Sequence, residues 1–446
     1  MNKKTLIRKV FDAGVVGAGG AGFPTHVKLG ATGADTYLIN GAECEPLLDA
    51  DCHLMTTMAK ELVDAGRITA EALGARLLFC VKAKHAEAVD ALRSAGADVF
   101  EARDYYPLGD EVILIADALG RTVPEGHLPT EVGVVVNNVE TLLNIHGALA
   151  GTPVTHTFVS TGGAVGRPTL FRAPIGTNAR ALLEASGGPG IPEGEAVFVD
   201  GGPMMGRYSD TPDFPVTKTT KGILVLPRDS LLATLEQMPV EEMLKRARVC
   251  CCQCNQCTVA CSRYLVGMGI EPHKIMRAMA WAGTRNGEVL RMALLCSECN
   301  LCSALHACPM GLSPRRVNQQ IKKALRESGV TPAFVKKEAS PHPLREYRLA
   351  PSGRIKERLG LSVYDRESVF EPDLLHPSEV RIPLKQHVGA PSVPVVEEGQ
   401  TVASGACIAL PPEGVLGGAL GAKIHASIDG NVVSVTSGMV VLRRRE

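Results

Sequence analysis

Two runs of cysteine are the residues best spaced for chemistry. Residues 249–264 read VCCCQCNQCTVACSRY, and one register inside them has ligand spacing: Cys251-x2-Cys254-x2-Cys257-x3-Cys261. That is the run of a bacterial [4Fe–4S] ferredoxin. Downstream, Cys296-x2-Cys299-x2-Cys302-x5-Cys308-Pro309 repeats the arrangement with a longer last gap. Three thiolates at this spacing wrap one corner of a cubane, and in two-cluster ferredoxins the trailing fourth ligates the other cluster. The spacing therefore predicts one cluster on Cys251, Cys254, Cys257 and Cys308, and a second on Cys296, Cys299, Cys302 and Cys261. Zinc is the competing reading, but zinc sites join two CxxC pairs across a longer spacer. His306 lies in the longer gap and is an alternative ligand there. The other six cysteines, Cys44, Cys52, Cys80, Cys250, Cys252 and Cys407, read as small buried hydrophobes.

A second group of chemical interest lies near the N-terminus. The glycine-rich GVVGAGGAG (14–22) does not have the dinucleotide-binding spacing, with its acidic residue about 20 positions on. Backbone N–H groups of such a loop can nonetheless approach a phosphate, and Lys28 lies one or two helical turns beyond it. The segment TYLIN (36–40) ends in NGAECEP, which carries Asn40, Glu43 and Glu45. Polar groups at that place fall where open α/β sheets bind ligands. Gly109-Asp110-Glu111 and the run NNVET, with Asn137, Asn138 and Thr141, add to the set.

The elements that must position these residues divide the chain into parts, and 446 residues are too many for one ordinary core. Over 1–150, strand patterns at 36–40, 76–83 and 132–138 alternate with helical patterns near 53–74 and 85–96. This predicts an α/β domain with a parallel sheet. Residues 151–228 break into short β pieces punctuated by Gly and Pro, a small β-rich module. Residues 229–330 are mainly helical around the cysteines, with an amphipathic helix at 317–328. The stretch 331–378, rich in Pro and charge, reads as a linker with local structure. Residues 379–446 read as a compact all-β unit made of two strand pairs, each with a Gly-containing turn. In the first residues Leu6, Ile7, Val10 and Phe11 form an apolar helical stripe, either packed on the first domain or free to dock.

Charge is balanced at 47 basic and 47 acidic residues, which gives no signal for nucleic acid or anionic membrane. No signal-peptide pattern opens the sequence and no apolar run reaches about 18 residues. The expectation is a cytoplasmic protein without a membrane span, whose 14 cysteines serve metal chemistry in a reducing compartment.

The set GAGGAGFPTHVK, NGAECEP, GDE and NNVET resembles the FMN- and NADH-binding flavoprotein subunit of respiratory complex I and the C subunit of Rnf complexes. That resemblance implies FMN held by Gly17, Gly19, Lys28, Asn40, Glu43, Gly109, Glu111, Asn137, Asn138 and Thr141. It also implies a nicotinamide beside Phe23, near Glu45 and Glu111. The sequence departs from the complex I loop in having Ala18 where that loop has arginine. It implies further a Rossmann-like FMN/NADH domain, a soluble-ligand-binding (SLBB-like) β-grasp module, a two-[4Fe–4S] ferredoxin-like domain and a C-terminal barrel-sandwich hybrid. In this order the parts are similar to the cobalamin reductase family of bacterial propanediol-utilisation microcompartments. Such a protein would pass electrons from NADH through FMN and two clusters to cobalamin. Its expected partners are a corrinoid adenosyltransferase and microcompartment shell proteins, and its expected place is inside the microcompartment. The alternatives are an Rnf-like NADH-oxidising subunit with a protein acceptor, and a non-catalytic scaffold. In the cobalamin reductase reading no side chain acts as acid, base or nucleophile.

Overall fold

The computed structural model describes residues 1–282, 287–330, 340–373, 375–413 and 416–445. The first residues of the 331–378 stretch, and two near the 411–422 turn, therefore lie outside the described residues.

The first unit begins with α1 (Lys3–Asp12), whose Asn2 side chain accepts from the Thr5 amide and caps the helix. It continues through α2 (Thr25–Leu29), β1 (Thr36–Gly41), α3 (Ala50–Thr57), α4 (Ala59–Leu73), β2 (Arg76–Lys82), α5 (Ala86–Ser94) and β3 (Val99–Ala102). Then follow β4 (Tyr105–Tyr106), α6 (Glu111–Leu119), β5 (Val134–Asn138) and α7 (Val139–Leu149). Four strands form a parallel sheet in the order β3-β2-β1-β5. Alternation along β1 sends Leu38 into one core with α6, and Tyr37 and Ile39 into another with α1, α4 and α7. Both faces are covered, as a parallel sheet requires. The helix expected at 53–74 is broken at Met58, whose backbone leaves the helical region. The apolar stripe of α1 is not free, because Leu6, Val10 and Phe11 are buried.

The second unit is a mixed sheet built from β6 (His156–Gly163), β7 (Thr169–Pro174), β8 (Ala196–Asp200), β9 (Arg207–Ser209) and β10 (Gly222–Pro227), with α8 (Ala179–Ala185) packed against it. The cysteine region carries α9 (Leu231–Gln237), α10 (Val240–Cys250), α11 (Gln256–Val259), α12 (Ser262–Leu265), α13 (Pro272–Arg277), α14 (Gly287–Arg291) and α15 (Pro314–Glu327). Its buried side chains join the α6 side of the first unit in one continuous core.

The stretch read as a linker is more structured than its composition suggests. It holds β11 (Ala350–Pro351), α16 (Ser352–Arg358) and β12 (Val369–Glu371). β11 pairs with β4, and β12 adds a parallel edge strand to β7, giving the order β12-β7-β6-β10-β8-β9. Arg345 joins Asp117 of α6 in a buried ion pair. The segment is a strap across two units, held by partners distant in sequence and therefore silent in local pattern.

The last unit holds β13 (Glu379–Pro383), β14 (Val393–Pro394), β15 (Thr401–Val402), β16 (Cys407–Leu410), β17 (Ile424–His425), β18 (Gly430–Val435) and β19 (Met439–Arg444). Of the two local strand pairs expected from the sequence, the first forms between the ends of its segment, Val393 opposite Leu410, and the second does not form. β14 skips β15 to pair with β16, while β15 crosses to β18, giving sheets β13-β19-β18-β15 and β14-β16-β17. The core, not the turns, sets this pairing: Val402 and Val432 are buried on one layer and Ile408 and Ile424 on the other.

Because the α1 stripe lies in the core, Leu6→Ala should lower unfolding stability by about 2–5 kcal/mol. Denaturant melts read this directly; an unchanged midpoint would return the stripe to the role of a free docking peptide.

Candidate functional site

The glycine loop runs between α1 and α2 and is closed by its own backbone. The Gly17 amide donates to the Phe23 carbonyl, and the Gly22 amide to the Gly17 carbonyl. Its tip, Gly19-Gly20-Ala21, stays exposed. Gly20 has φ +97°, a conformation open to glycine, with nothing within 4 Å of where a Cβ would stand. The loop is pinned to the start of α7, where Thr141 Oγ1 accepts from the Ala18 amide at 2.9 Å. Asn138, at the end of β5, caps α7 by accepting from the Glu140 amide, and a Cβ on Gly19 would touch it at 3.4 Å.

Across the cleft, the carboxyl end of β1 is tied to the turn before α6. Asn40 Nδ2 donates to the Gly109 carbonyl, and the Gly109 amide donates to Cys44 Sγ, both at 2.9 Å. Lys28 Nζ bridges Glu111 and the Val136 carbonyl at 2.8 Å each. Gly17, Gly19, Phe23, Lys28, Asn40, Gly109, Glu111, Asn138 and Thr141 thus gather around one cleft at the carboxyl ends of β1 and β5. An exposed glycine tip beside such strand ends, with an ammonium in reach, suits a planar ligand bearing a phosphate.

Three expected site residues are used differently. Asn137 faces away from Asn138 and is 4% exposed, with its amide donating to Tyr37 Oη in the core. Alternation along a strand forces this, since neighbouring side chains leave by opposite faces. Glu43, at φ +33°, accepts from the Asp51 and Cys52 amides at the start of α3. Burial, and then the Asp51 charge, raise its carboxyl above the usual range. Glu45 turns toward the β module and accepts from the Met204 amide at 2.8 Å. A side chain on Gly202 would collide with it. Burial pushes Glu45 from 4.5 up to about 7.

Sequence reasoning missed a brace beneath the cleft. Lys221 joins Asp51 at 3.0 Å and Glu140 at 2.5 Å, and Asn138 Nδ2 donates to Asp51. Glu140 was visible in NNVET, but Lys221 lies in TKTTKG, a stretch with no pattern of its own.

The two cysteine loops share one backbone trace. In the first, Gln253 and Asn255 flank Cys254 with φ of 54° and 63°; in the second, Glu298 and Asn300 flank Cys299 with φ of 63° and 71°. Left-handed residues are uncommon outside glycine, and asparagine tolerates them best. Such alternation turns successive N–H groups into a concavity, the form that receives phosphates and iron–sulfur clusters. Cys251, Cys254, Cys257 and Cys308 line one pocket together. The Cys257 thiol is raised to about 12 by burial and then by its neighbours Cys308, Cys254 and Cys251. Burial and then the thiols of Cys296, Cys299, Cys261 and Cys257 hold Cys302 well above the usual range. The residues present therefore fit two clusters. His306 is half-buried with its Nδ1 unpartnered, and burial lowers it to about 4. His273 Nδ1 is 2.8 Å from Thr258 Oγ1, and His425 is buried.

A phosphate-binding type of loop at the strand ends, joined through one core to two cysteine cradles, is the arrangement of a flavin- and iron–sulfur-dependent electron-transfer oxidoreductase. Known families agree. Residues 10–147 match the Nuo51 FMN-binding domain, 250–313 a 4Fe-4S dicluster domain, and 371–444 the RnfC barrel sandwich hybrid domain. The chain is 40% identical over 452 residues to Cobalamin reductase PduS of Citrobacter freundii, covering 99% of this chain and 97% of that one. It is 41% identical over 448 residues to Cobalamin reductase PduS of Salmonella typhimurium, with coverage of 98% and 96%. The C subunit of the Na(+)-translocating ferredoxin:NAD(+) oxidoreductase complex of Acetobacterium woodii is 35% identical over 285 residues, 61% of each chain. The chain belongs to the PduS cobalamin reductase family.

Glu45 gives a pH test in FMN-free protein. Its raised folded value means the protonated form favours folding. Stability from this group should be full below pH 4.5 and fall as pH rises through about 7. Glu45→Gln should flatten that slope in melts across this range; an unchanged slope would place its source elsewhere.

Proposed function

We propose that this protein uses NADH to reduce cobalamin, with FMN in the cleft of the first unit and [4Fe–4S] clusters in the two cysteine cradles. The observation that carries the reading is the juxtaposition of that cleft with the paired cradles through one continuous core. A bound flavin supplies the conversion between hydride and single electrons, and the clusters carry those electrons singly. The balance is NADH + 2 cob(III)alamin → NAD⁺ + H⁺ + 2 cob(II)alamin. Further one-electron reduction leads toward the cob(I)alamin that a corrinoid adenosyltransferase consumes.

The residues' part is to bind and orient. Gly17 and Gly19 keep the loop close to the flavin phosphate, and Lys28 offsets its charge. Asn40, Gly109, Asn138 and Thr141 shape the cleft, with Asn137 and Glu43 bracing it from behind. Phe23 and Glu111 border the nicotinamide, while Glu45 ties the β module to the cleft through the Met204 amide. Cys251, Cys254, Cys257 and Cys308 hold one cluster, and Cys296, Cys299, Cys302 and Cys261 the other. Among the described residues no three His, Cys, Asp or Glu side chains gather tightly enough for a single metal ion. The spacing of each cysteine triplet, with its trailing fourth cysteine, favours clusters over zinc.

We assign 1–150 to the Rossmann-like FMN/NADH unit, 151–228 to an SLBB-like β-grasp module, 229–330 to the ferredoxin-like unit and 379–446 to the barrel-sandwich unit, with 331–378 the strap between the last two. We place this work inside a propanediol-utilisation microcompartment, beside shell proteins, a reading that the likeness to PduS supports. Among the described residues no helix is long and apolar enough to cross a membrane.

An anaerobic spectral titration tests the function. NADH should bleach the flavin and then the cluster absorbance, and cob(III)alamin should restore both while cob(II)alamin forms. Bleaching with no cob(II)alamin would favour an Rnf-like subunit that passes electrons to a protein. Ligand pairing is tested by Cys261→Ala. It should lose the cluster of Cys296, Cys299 and Cys302 first and keep roughly half the iron, as crossed ligation requires. Loss of the other cluster first would reverse the assignment.

A further inference from the structure

We propose that the two cradles work in a fixed order. The Cys261/Cys296/Cys299/Cys302 cradle receives electrons from the flavin cleft, and the Cys251/Cys254/Cys257/Cys308 cradle delivers them at the surface. The inference rests on the flavin and iron–sulfur reading above and adds the direction of flow within it.

Several contacts bind the first cradle to the cleft. Arg263, two residues after Cys261, pairs with Asp110 at 2.6 Å, and Asp110 stands between Gly109 and Glu111. Asn300, next to Cys299, donates to the Met204 carbonyl at 3.3 Å, and the Met204 amide in turn holds Glu45. Tyr106, whose hydroxyl reaches Glu45 at 3.4 Å, packs in the same core as Cys299. Ser262 Oγ lies 3.8 Å from Cys299 Sγ on the cradle's inner side.

The other cradle has no such ties. Among the described residues the polar contacts of its loops stay within the cysteine region: Cys250 with the Met310 carbonyl, Arg248 with the Ala280 carbonyl, and His273 with Thr258. Burial separates the two in the same sense. Cys261, Cys299 and Cys302 are buried and Cys296 is half-buried, whereas Cys251, Cys257 and Cys308 are half-buried and Cys254 is exposed.

Electron tunnelling falls steeply with distance, so the cradle that touches the cleft is the receiver and the one open to solvent is the donor. With clusters bound, the Cys261/Cys296/Cys299/Cys302 cradle would take up each electron from the flavin side and be reoxidised as the Cys251/Cys254/Cys257/Cys308 cradle takes it on. The acceptor then gains one electron, and NADH ends as NAD⁺ and a proton after two such transfers.

Single-cluster variants of the full chain, loaded anaerobically and frozen for electron paramagnetic resonance, test the order. In Cys254→Ser, NADH should still reduce the remaining cluster at the unsubstituted rate. In Cys299→Ser, NADH should bleach the flavin, while the remaining cluster stays oxidised at least ten-fold longer yet is reduced by dithionite. Fast reduction in the second variant together with slow reduction in the first would overturn the order. Should either substitution cost both clusters, the unsubstituted protein decides. After rapid freeze-quench with NADH, a soluble dysprosium chelate should enhance relaxation of the later-appearing cluster signal more than the earlier one. The opposite ranking overturns the proposal. A flavin that NADH does not bleach would instead be a failure of the functional reading, and is seen before any cluster signal is needed.

Discussion

Single electrons move efficiently only over short gaps, so this protein depends on holding its cysteine region hard against the Gly109–Glu111 turn of the FMN-binding domain. The Arg263–Asp110 pair is the polar centre of that contact. Asp110 is 6% exposed on its side chain and also caps α6 through the Val112 amide, so one carboxylate anchors both the turn and the docking. A pair this deeply placed is costly to break, since a lone buried charge destabilises by about 3–5 kcal/mol. Its role is therefore geometric: it forbids the two units from docking in another register, while the shared core supplies the attraction.

The strap between the cysteine region and the last unit works on the same constraint. β11 adds to β4, immediately before the Gly109 turn, and Arg345 reaches Asp117 on the same helix that Asp110 caps. β12 then adds to the edge of the β module. One segment thus links the flavin unit and the β module from outside, where relative motion would open the gap between cleft and cradle.

What could be read from the sequence followed from how local each signal is. Cluster spacing is a property of a dozen residues, so the two cysteine triplets were visible at once. Three of the four strands of the parallel sheet were visible as well, because runs such as Tyr37 to Ile39 and Val134 to Val136 are short, continuous and apolar, covered on both faces, whereas the short edge strand β3 gave no such run. The left-handed turns around Cys254 and Cys299 had a faint signature, the repeated pair Cys-Asn in QCNQC and ECNLC. Long-range partners left no trace: Lys221 beneath NNVET, Met204 against Glu45, β12 on β7, and β15 crossing to β18. Each is chosen by a surface that only the folded chain presents.

The cleft itself shows why family-like motifs are a coarse guide to individual side chains. NNVET places two asparagines together, yet strand alternation lets only Asn138 reach the loop, while Asn137 satisfies Tyr37 inside the core. NGAECEP places two glutamates two residues apart, and the left-handed turn at Glu43 divides their tasks. One is consumed by the start of α3 and the other faces the β module and the cysteine region through Met204. A backbone held in that conformation costs free energy that nearby hydrogen bonds must offset. At Glu43 two amides do so, fixing the direction in which the chain carries Cys44 to the Gly109 amide and Glu45 to the Met204 amide. The motif is thus a scaffold for the cleft first, and only some of its polar groups face the ligand.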